Sequence, residues 1–285
     1  MKISASTYSF LRLLNDGTYT QLSLIAKVRE MGFDAIEFVD IMPPEGTSDA
    51  DYAKQLRSEC EKVGLEISNF TFGAELISCE NLENEIAKIK SKIDIAEILG
   101  AKSIRHDATS DPAGKSFDAC LSILADACRD ITEYAAAKGI RTMVENHGFF
   151  CQDSSRVERL VSAVNHPNFG LLCDMGNFLC ADENPADAFG IVAPFAFYVH
   201  AKDFHIKPAE GSDPGEGFFR SRSGNYLRGS IIGHGNVPVK SCLYALKRVG
   251  YDGMIAIEFE GMEDNITAMR IGLDNLKKYI NEVGL

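Results

Sequence analysis

One punctuation recurs along this chain and limits what it can fold into: an amphipathic helix ends at a glycine, one or two residues follow, and a short β-branched run then closes in polar side chains. The junctions are Met31-Gly32, Val63-Gly64, Leu99-Gly100, Lys138-Gly139 and Val249-Gly250. Glycine tolerates the left-handed backbone on which helices terminate, so each junction reads as a helix C-cap. After them come Ala35–Phe38, Leu65–Ser68, Lys102–Arg105, Arg141–Glu145 and Met254–Glu258. A spacing of roughly 30 to 40 residues is that of one strand plus one helix.

Three further runs, Lys2–Ser6, Phe169–Asp174 and Ala196–Lys202, bring the strands to eight. Between strands, apolar side chains recur at the helical period, as in Leu82, Ile86, Ile89, Ile93 and Ala96, or Ile266, Met269, Leu273, Leu276 and Ile280. Ser48-Asp49-Ala50-Asp51 has the form of a helix N-cap. Strands that alternate with helices pair in parallel, and eight of them in 285 residues predict a closed (β/α)8 TIM barrel. The competing open, doubly wound sheet carries a glycine-rich turn after an early strand, whereas here the first strand runs into Thr7-Tyr8-Ser9-Phe10. Residues from about 205 to 238, rich in Gly, Ser and Arg, read as an irregular, elaborated seventh βα loop. Helix and strand resume in register after it, so the expectation is a single barrel domain over residues 1–285.

Composition removes several classes of function. Lys and Arg total 29 against 41 Asp and Glu, a formal charge of −12 that repels nucleic-acid backbones and anionic membrane surfaces. No apolar run approaches the roughly 18 residues of a transmembrane helix, and the polar start Met1–Ser6 does not resemble a signal peptide core. Eight cysteines stand singly with no C-x-x-C pair, which signals neither a zinc knuckle nor a redox motif and fits a reducing, cytoplasmic location. The expected partner is a small molecule rather than nucleic acid or membrane, with a homo-oligomer left open.

In such a barrel the chemistry sits at the C-terminal ends of the strands. The polar residues there are Ser6 and Thr7, then Glu37, Asn69, Arg105, His106 and Asp107, followed by Glu145, Asn146, His147, Asp174, His200, Lys202, Asp203, Glu258 and Glu260. Glu145, Asp174, His200 and Glu258 close apolar runs on four consecutive strands, which brings them to one side of the mouth. Any one alone reads first as a local cap. Four in succession place three carboxylates together, an arrangement that repels itself unless a cation lies between them. Three carboxylates and one imidazole suit one divalent ion, Mn, Mg, Co or Zn, with positions left for substrate. Glu260 rivals Glu258 because alternation sends both to one face, but Glu258 directly follows the apolar run.

The segments Val144-Glu145-Asn146, Leu172-Cys173-Asp174, Tyr198-Val199-His200-Ala201-Lys202-Asp203 and Gly250-Tyr251-Asp252-Gly253 through Ile257-Glu258 resemble the sugar phosphate isomerase/epimerase family, the xylose isomerase-like TIM barrels. With Gly32–Glu37 on the second strand, the resemblance covers nearly the whole chain, and it implies metal ligation by Glu145, Asp174, His200 and Glu258. Members similar to ketose 3-epimerases often carry a substrate-binding histidine three residues after the aspartate ligand. Here Asn177 stands at that position, which leaves the metal site intact but withholds any particular ketose.

The expected activity is that of an isomerase or epimerase on a sugar or cyclic polyol ketone, with Glu145 and Glu258 exchanging protons on opposite faces of an enediolate. A lyase or dehydratase on a related keto-sugar or keto-acid is the alternative. An abasic-site endonuclease would want a histidine-rich, multi-metal site and a basic groove, and a non-catalytic binding barrel would be marked by a lost ligand. Substrate contacts are expected from Arg105, His147, Asn177, Lys202, Arg228 and His234. Local roles compete: Arg105 could pair with Glu37 or Glu145, and Lys202 could neutralise the carboxylates. His234 lies between two glycines where the long loop returns, which suggests a place at the mouth. The acidic loop Gly261–Asn265 disfavours a phosphate, and Arg220, Arg222 and Arg228 favour one; the expectation is a non-phosphorylated substrate.

Overall fold

A computed structural model describes residues 1–285, and the glycine junctions terminate helices in it as their conformation allows. The strands are β1 (Ile3–Ser6), β2 (Ala35–Val39), β3 (Glu66–Phe72), β4 (Ser103–His106), β5 (Arg141–Glu145), β6 (Phe169–Asp174), β7 (Ala196–Ala201), β8 (Asp203–Lys207), β9 (Phe219–Arg220), β10 (Tyr226–Ser230) and β11 (Ile255–Ile257). The helices are α1 (Leu11–Asn15), α2 (Gln21–Glu30), α3 (Asp49–Val63), α4 (Leu82–Leu99), α5 (Phe117–Ala136), α6 (Ser154–Val164), α7 (Pro185–Val192), α8 (Val239–Arg248) and α9 (Asn265–Val283). Gly64 and Gly100 end α3 and α4 in the left-handed region, and Ser48, Asn81, Ser116 and Asp264 cap the starts of α3, α4, α5 and α9. None of these helices is long and apolar enough to cross a membrane.

Eight strands close into a parallel barrel in the order β1-β11-β7-β6-β5-β4-β3-β2. Parallel strands covered by helices are buried on both faces, which is why these runs are nearly continuous in apolar residues. Their outward side chains, among them Phe38, Phe70, Ile104, Leu171 and Val199, join one contiguous core with the helices. The barrel interior holds a separate small cluster of Met143, Leu172, Tyr198 and Ala256. Its one polar tip is satisfied: the Tyr198 hydroxyl is 2.7 Å from Ser68 Oγ, which is 2.8 Å from Ser4 Oγ. Each member of this interior cluster stands two residues before Glu145, Asp174, His200 or Glu258. Because side chains alternate along a strand, the same inward face that lays this apolar floor delivers the four polar residues one level higher, at the mouth.

The segment 205–238 departs from the expectation of an irregular loop. β8 continues from β7 after a single residue, pairs antiparallel with β10 from Asp203 opposite Ser230 to Lys207 opposite Tyr226, and β10 pairs with β9. These strands escape a reading by hydrophobic pattern because they are short and their burial does not alternate: Phe204 packs with Leu227 and Cys180, and Tyr226 is buried directly beside Leu227. Two glycines fix the insertion to the barrel. A side chain at Gly229 would run into the Glu260 backbone at 2.5 Å, and one at Gly235 into the Asp203 carboxylate at 2.2 Å. Asp203 accepts hydrogen bonds from the backbone N–H groups of Phe204, Gly233, Gly235 and Val237 at 2.8–3.0 Å, which pins both ends of the insertion at one point.

Candidate metal centre

Glu145, Asp174, His200 and Glu258 offer one ligand atom each, all within 4.8 Å of one another and all buried. His200 Nδ1 lies 3.8 Å from Glu145 Oε1, 3.7 Å from Asp174 Oδ2 and 3.6 Å from Glu258 Oε1. Those separations exceed a hydrogen bond, and neither Asp174 Oδ2 nor His200 Nδ1 has a hydrogen-bond partner, although Lys202 Nζ stands 3.3 Å from Asp174 Oδ2. The other oxygen of Asp174 is spent on the backbone N–H groups of Gly176 and Asn177, at 2.7 and 2.8 Å. Buried polar atoms are almost always paired, so orphaned atoms converging among three carboxylates fit a divalent cation.

Groups around this set decide which atoms are free to ligate. His200 Nε2 is 2.7 Å from Glu37 Oε2, and the other oxygen of Glu37 accepts from Asn69 at 2.9 Å and Thr71 at 2.5 Å. Burial alone would raise the Glu37 carboxyl, but His200, Thr71 and Asn69 together hold it at about 2. A histidine that gives its ring N–H to a carboxylate presents the lone pair of its other nitrogen, here Nδ1. Arg105 holds Glu145 Oε2 at 2.6 Å, and the Asn177 side chain donates to Oε1 at 2.9 Å. Burial nonetheless leaves the Glu145 carboxyl above the usual range, against the pull of Arg105 and His200. Lys202 sits 2.6 Å from Glu258 Oε2 and donates to Asn177 Oδ1 at 3.0 Å. Each glutamate therefore turns one oxygen toward His200 and has the other held by a cation.

Residues 25–279 match the family model of the xylose isomerase-like TIM barrel. The chain belongs to this family. Among curated relatives of this xylose isomerase-like barrel, the 3-oxo-isoapionate decarboxylase of Pectobacterium atrosepticum is 25% identical over 215 residues, 74% of this chain and 72% of that one. The inosose dehydratase of Lacticaseibacillus casei is 24% identical over 220 residues, 73% of each chain. In structure, a xylose isomerase-like TIM barrel protein from Mycobacterium smegmatis in complex with magnesium superposes with a TM-score of 0.76 at 19% identity, covering 99% of this chain and 97% of that one.

The remaining predicted contacts fall at different distances from the centre of this xylose isomerase-like barrel. Arg105, Asn177 and Lys202 touch the four residues directly, as described. His147 is half-exposed at the rim and is 2.8 Å from Asp107, which is itself paired with Arg105 at 2.8 Å. Arg228 lies 3.3 Å from Glu263 and 5.6 Å from the Phe218 ring. His234 is exposed, and no hydrogen bond ties its ring to the centre. The close approach that its flanking glycines make is to Asp203 rather than to the mouth. Glu260, 3.6 Å from Lys202, stands outside the set of four. Sequence reasoning weighed Glu37 only as a partner for Arg105. Its support of His200 was missed because Glu37 interrupts the apolar run of β2, with Phe38 and Val39 after it, rather than closing it as the four do on their strands.

Proposed function

We propose that this protein is a divalent-metal-dependent isomerase or epimerase acting on a sugar or cyclic polyol ketone. The observation that carries the reading is the pair Glu145 and Glu258, which stand at the two ends of the strand arc β5-β6-β7-β11, each with one oxygen aimed inward. A substrate seated between them meets a carboxylate from either side. A bound divalent ion, held by Glu145, Asp174, His200 and Glu258, would supply polarisation of the substrate's carbonyl and adjacent hydroxyl.

Glu145, its basicity raised by burial, takes the C–H proton beside the carbonyl, and the electron pair passes into an enediolate. Glu258 returns a proton to the opposite face. Arg105 and Lys202 keep the two carboxylates oriented, and Asn177 spans Glu145 and Lys202. The long insertion's arginines are occupied within the chain: Arg220 by Tyr226 and the Gly224 carbonyl, Arg222 by Asp153 and Arg228 by Glu263. That occupation supports a non-phosphorylated substrate.

A second reading, elimination of water or another group from the same enediolate, is favoured by one asymmetry. Arginine does not release its proton, whereas the Lys202 ammonium beside Glu258 can protonate a leaving hydroxyl, and the two relatives above are a decarboxylase and a dehydratase. Incubation of the metal-loaded protein in D2O with ketohexoses and with 2-keto-myo-inositol separates the readings. Deuterium entering beside the carbonyl of a recovered epimer or isomer supports the first, and an unsaturated product lacking one water supports the second. Glu145→Gln, compared with wild type at equal metal occupancy, should slow exchange by about 10²- to 10⁴-fold. Epimer or isomer formed with no solvent deuterium would overturn the first reading, and the absence of any product lacking water would overturn the second.

A further inference from the structure

The turn that follows β5 holds a bulky residue in a conformation it disfavours. Phe149 has φ 61°, a left-handed backbone rare for a large side chain, and the Phe150 N–H closes a tight turn around it onto the Gly148 carbonyl at 2.7 Å. Strain of this kind persists only when the surroundings over-determine it. Here they do. The Phe149 N–H donates to buried Gln152 Oε1 at 2.6 Å, and the Phe149 carbonyl accepts from the Arg222 guanidinium. Arg222 is in turn fixed on Asp153 by two bonds of 2.6 and 2.9 Å. Gln152 also donates to the Asn177 carbonyl at 2.7 Å, and the Asn177 side chain bridges Glu145 and Lys202. All this framework leaves the Phe149 ring 45% exposed, whereas the neighbouring Phe150 is buried. An apolar ring left exposed at such conformational cost, on the turn that follows Glu145, has a use in display itself.

We propose that Phe149 is a specificity-determining residue whose ring, fixed at the rim by Gln152 and Arg222, stacks on the C–H face of a cyclic substrate. The inference rests on the carbohydrate reading above and deepens it. A pyranose or cyclohexane polyol carries hydroxyls around its edge and C–H bonds on its faces, so charged groups read the edge and an aromatic ring takes a face. A short open-chain ketose offers no such face. The substrate class is accordingly a cyclic polyol ketone or a ring-closed keto-sugar.

The chain contains no tryptophan, so Phe149→Trp places a single indole reporter at the rim. In the magnesium-loaded protein its emission should change saturably with 2-keto-myo-inositol and stay constant with 1,3-dihydroxyacetone. By calorimetry, Phe149→Gly should bind the cyclic ketone about tenfold more weakly than wild type while melting no lower, because glycine accepts this backbone without strain. Phe149→Leu, apolar without a ring, should be weakened equally, and Phe149→Tyr should retain affinity. Wild-type affinity in Phe149→Gly or in Phe149→Leu, or an indole indifferent to a cyclic ketone that calorimetry shows bound, overturns the stacking role alone. Failure of magnesium-loaded wild type to bind any polyol ketone overturns the carbohydrate reading, and this inference with it.

Discussion

Glu37 on β2 and Glu145 on β5 are the same residue type, both buried at the mouth, yet one supports the candidate metal centre and the other is part of it. Glu37 meets three hydrogen-bonding groups, Asn69, Thr71 and His200, and its carboxyl is held at about 2. Glu145 keeps one oxygen turned toward His200 Nδ1 and lies above the usual carboxylate range. The contrast extends to the halves of the barrel: β1 to β4 contribute Glu37, Asn69, Thr71 and Arg105, which hold other side chains, and the later strands contribute all four candidate ligands. Both carboxylates are held by donors; what differs is that Glu145 also faces His200 Nδ1 and the other candidate ligands, whereas Glu37 is bonded to His200 Nε2 behind them.

The sharpest way to break that division is to damage each half and compare. Asp174→Asn, in the later half, should cost metal affinity beyond the roughly 100-fold that bounds supporting residues. Equal metal content by elemental analysis in wild type, Asp174→Asn and Glu258→Gln would remove the ligand assignment. Arg105→Ala, in the early half, leaves one oxygen of buried Glu145 without its cation and part-buried Asp107 with only His147, and urea unfolding at pH 7 should show a loss of about 3–5 kcal/mol. Glu37→Gln keeps the shape beside His200 but not the charge, so chelator competition should show metal bound about 10- to 100-fold more weakly. If it strips metal as fully as Asp174→Asn does, the two halves do not differ in kind.

The smallest effect concerns acid. Burial pushes the Asp107 carboxyl up, but Arg105 and His147 bring it down to about 2 from its usual 3.8. A depressed carboxyl stabilises the fold above its unfolded value, and the stabilisation is lost as the pH falls from about 4 toward 2, here about 2 kcal/mol. Asp107→Asn should flatten the wild-type stability profile over that window, and an unchanged slope would place the acid sensitivity elsewhere.

How much of this the sequence discloses follows from whether a signal is local. The strands and helix ends are written in glycines and apolar periods within single segments, so the eight-strand order is legible, as is the convergence of Glu145, Asp174, His200 and Glu258. The pairing of Glu37 with His200 joins residues 163 positions apart, and no segment on its own records it. The insertion was illegible for another reason: its strands are specified by pairing and by the glycines Gly229 and Gly235 rather than by alternating burial. His234 was drawn toward the mouth by glycines that in fact serve Asp203.

That single carboxylate has a consequence for how such a barrel can vary. By tying Phe204 to Gly233, Gly235 and Val237, Asp203 closes the excursion at its base, one residue beyond Lys202 and three beyond His200. Once the ends of a loop are joined, added length costs little, each doubling about 0.6 kcal/mol of closure entropy. Insertions and deletions between the clasped ends can therefore accumulate without tugging on β7, which makes the excursion a replaceable part and the candidate metal centre beside its base a fixed one.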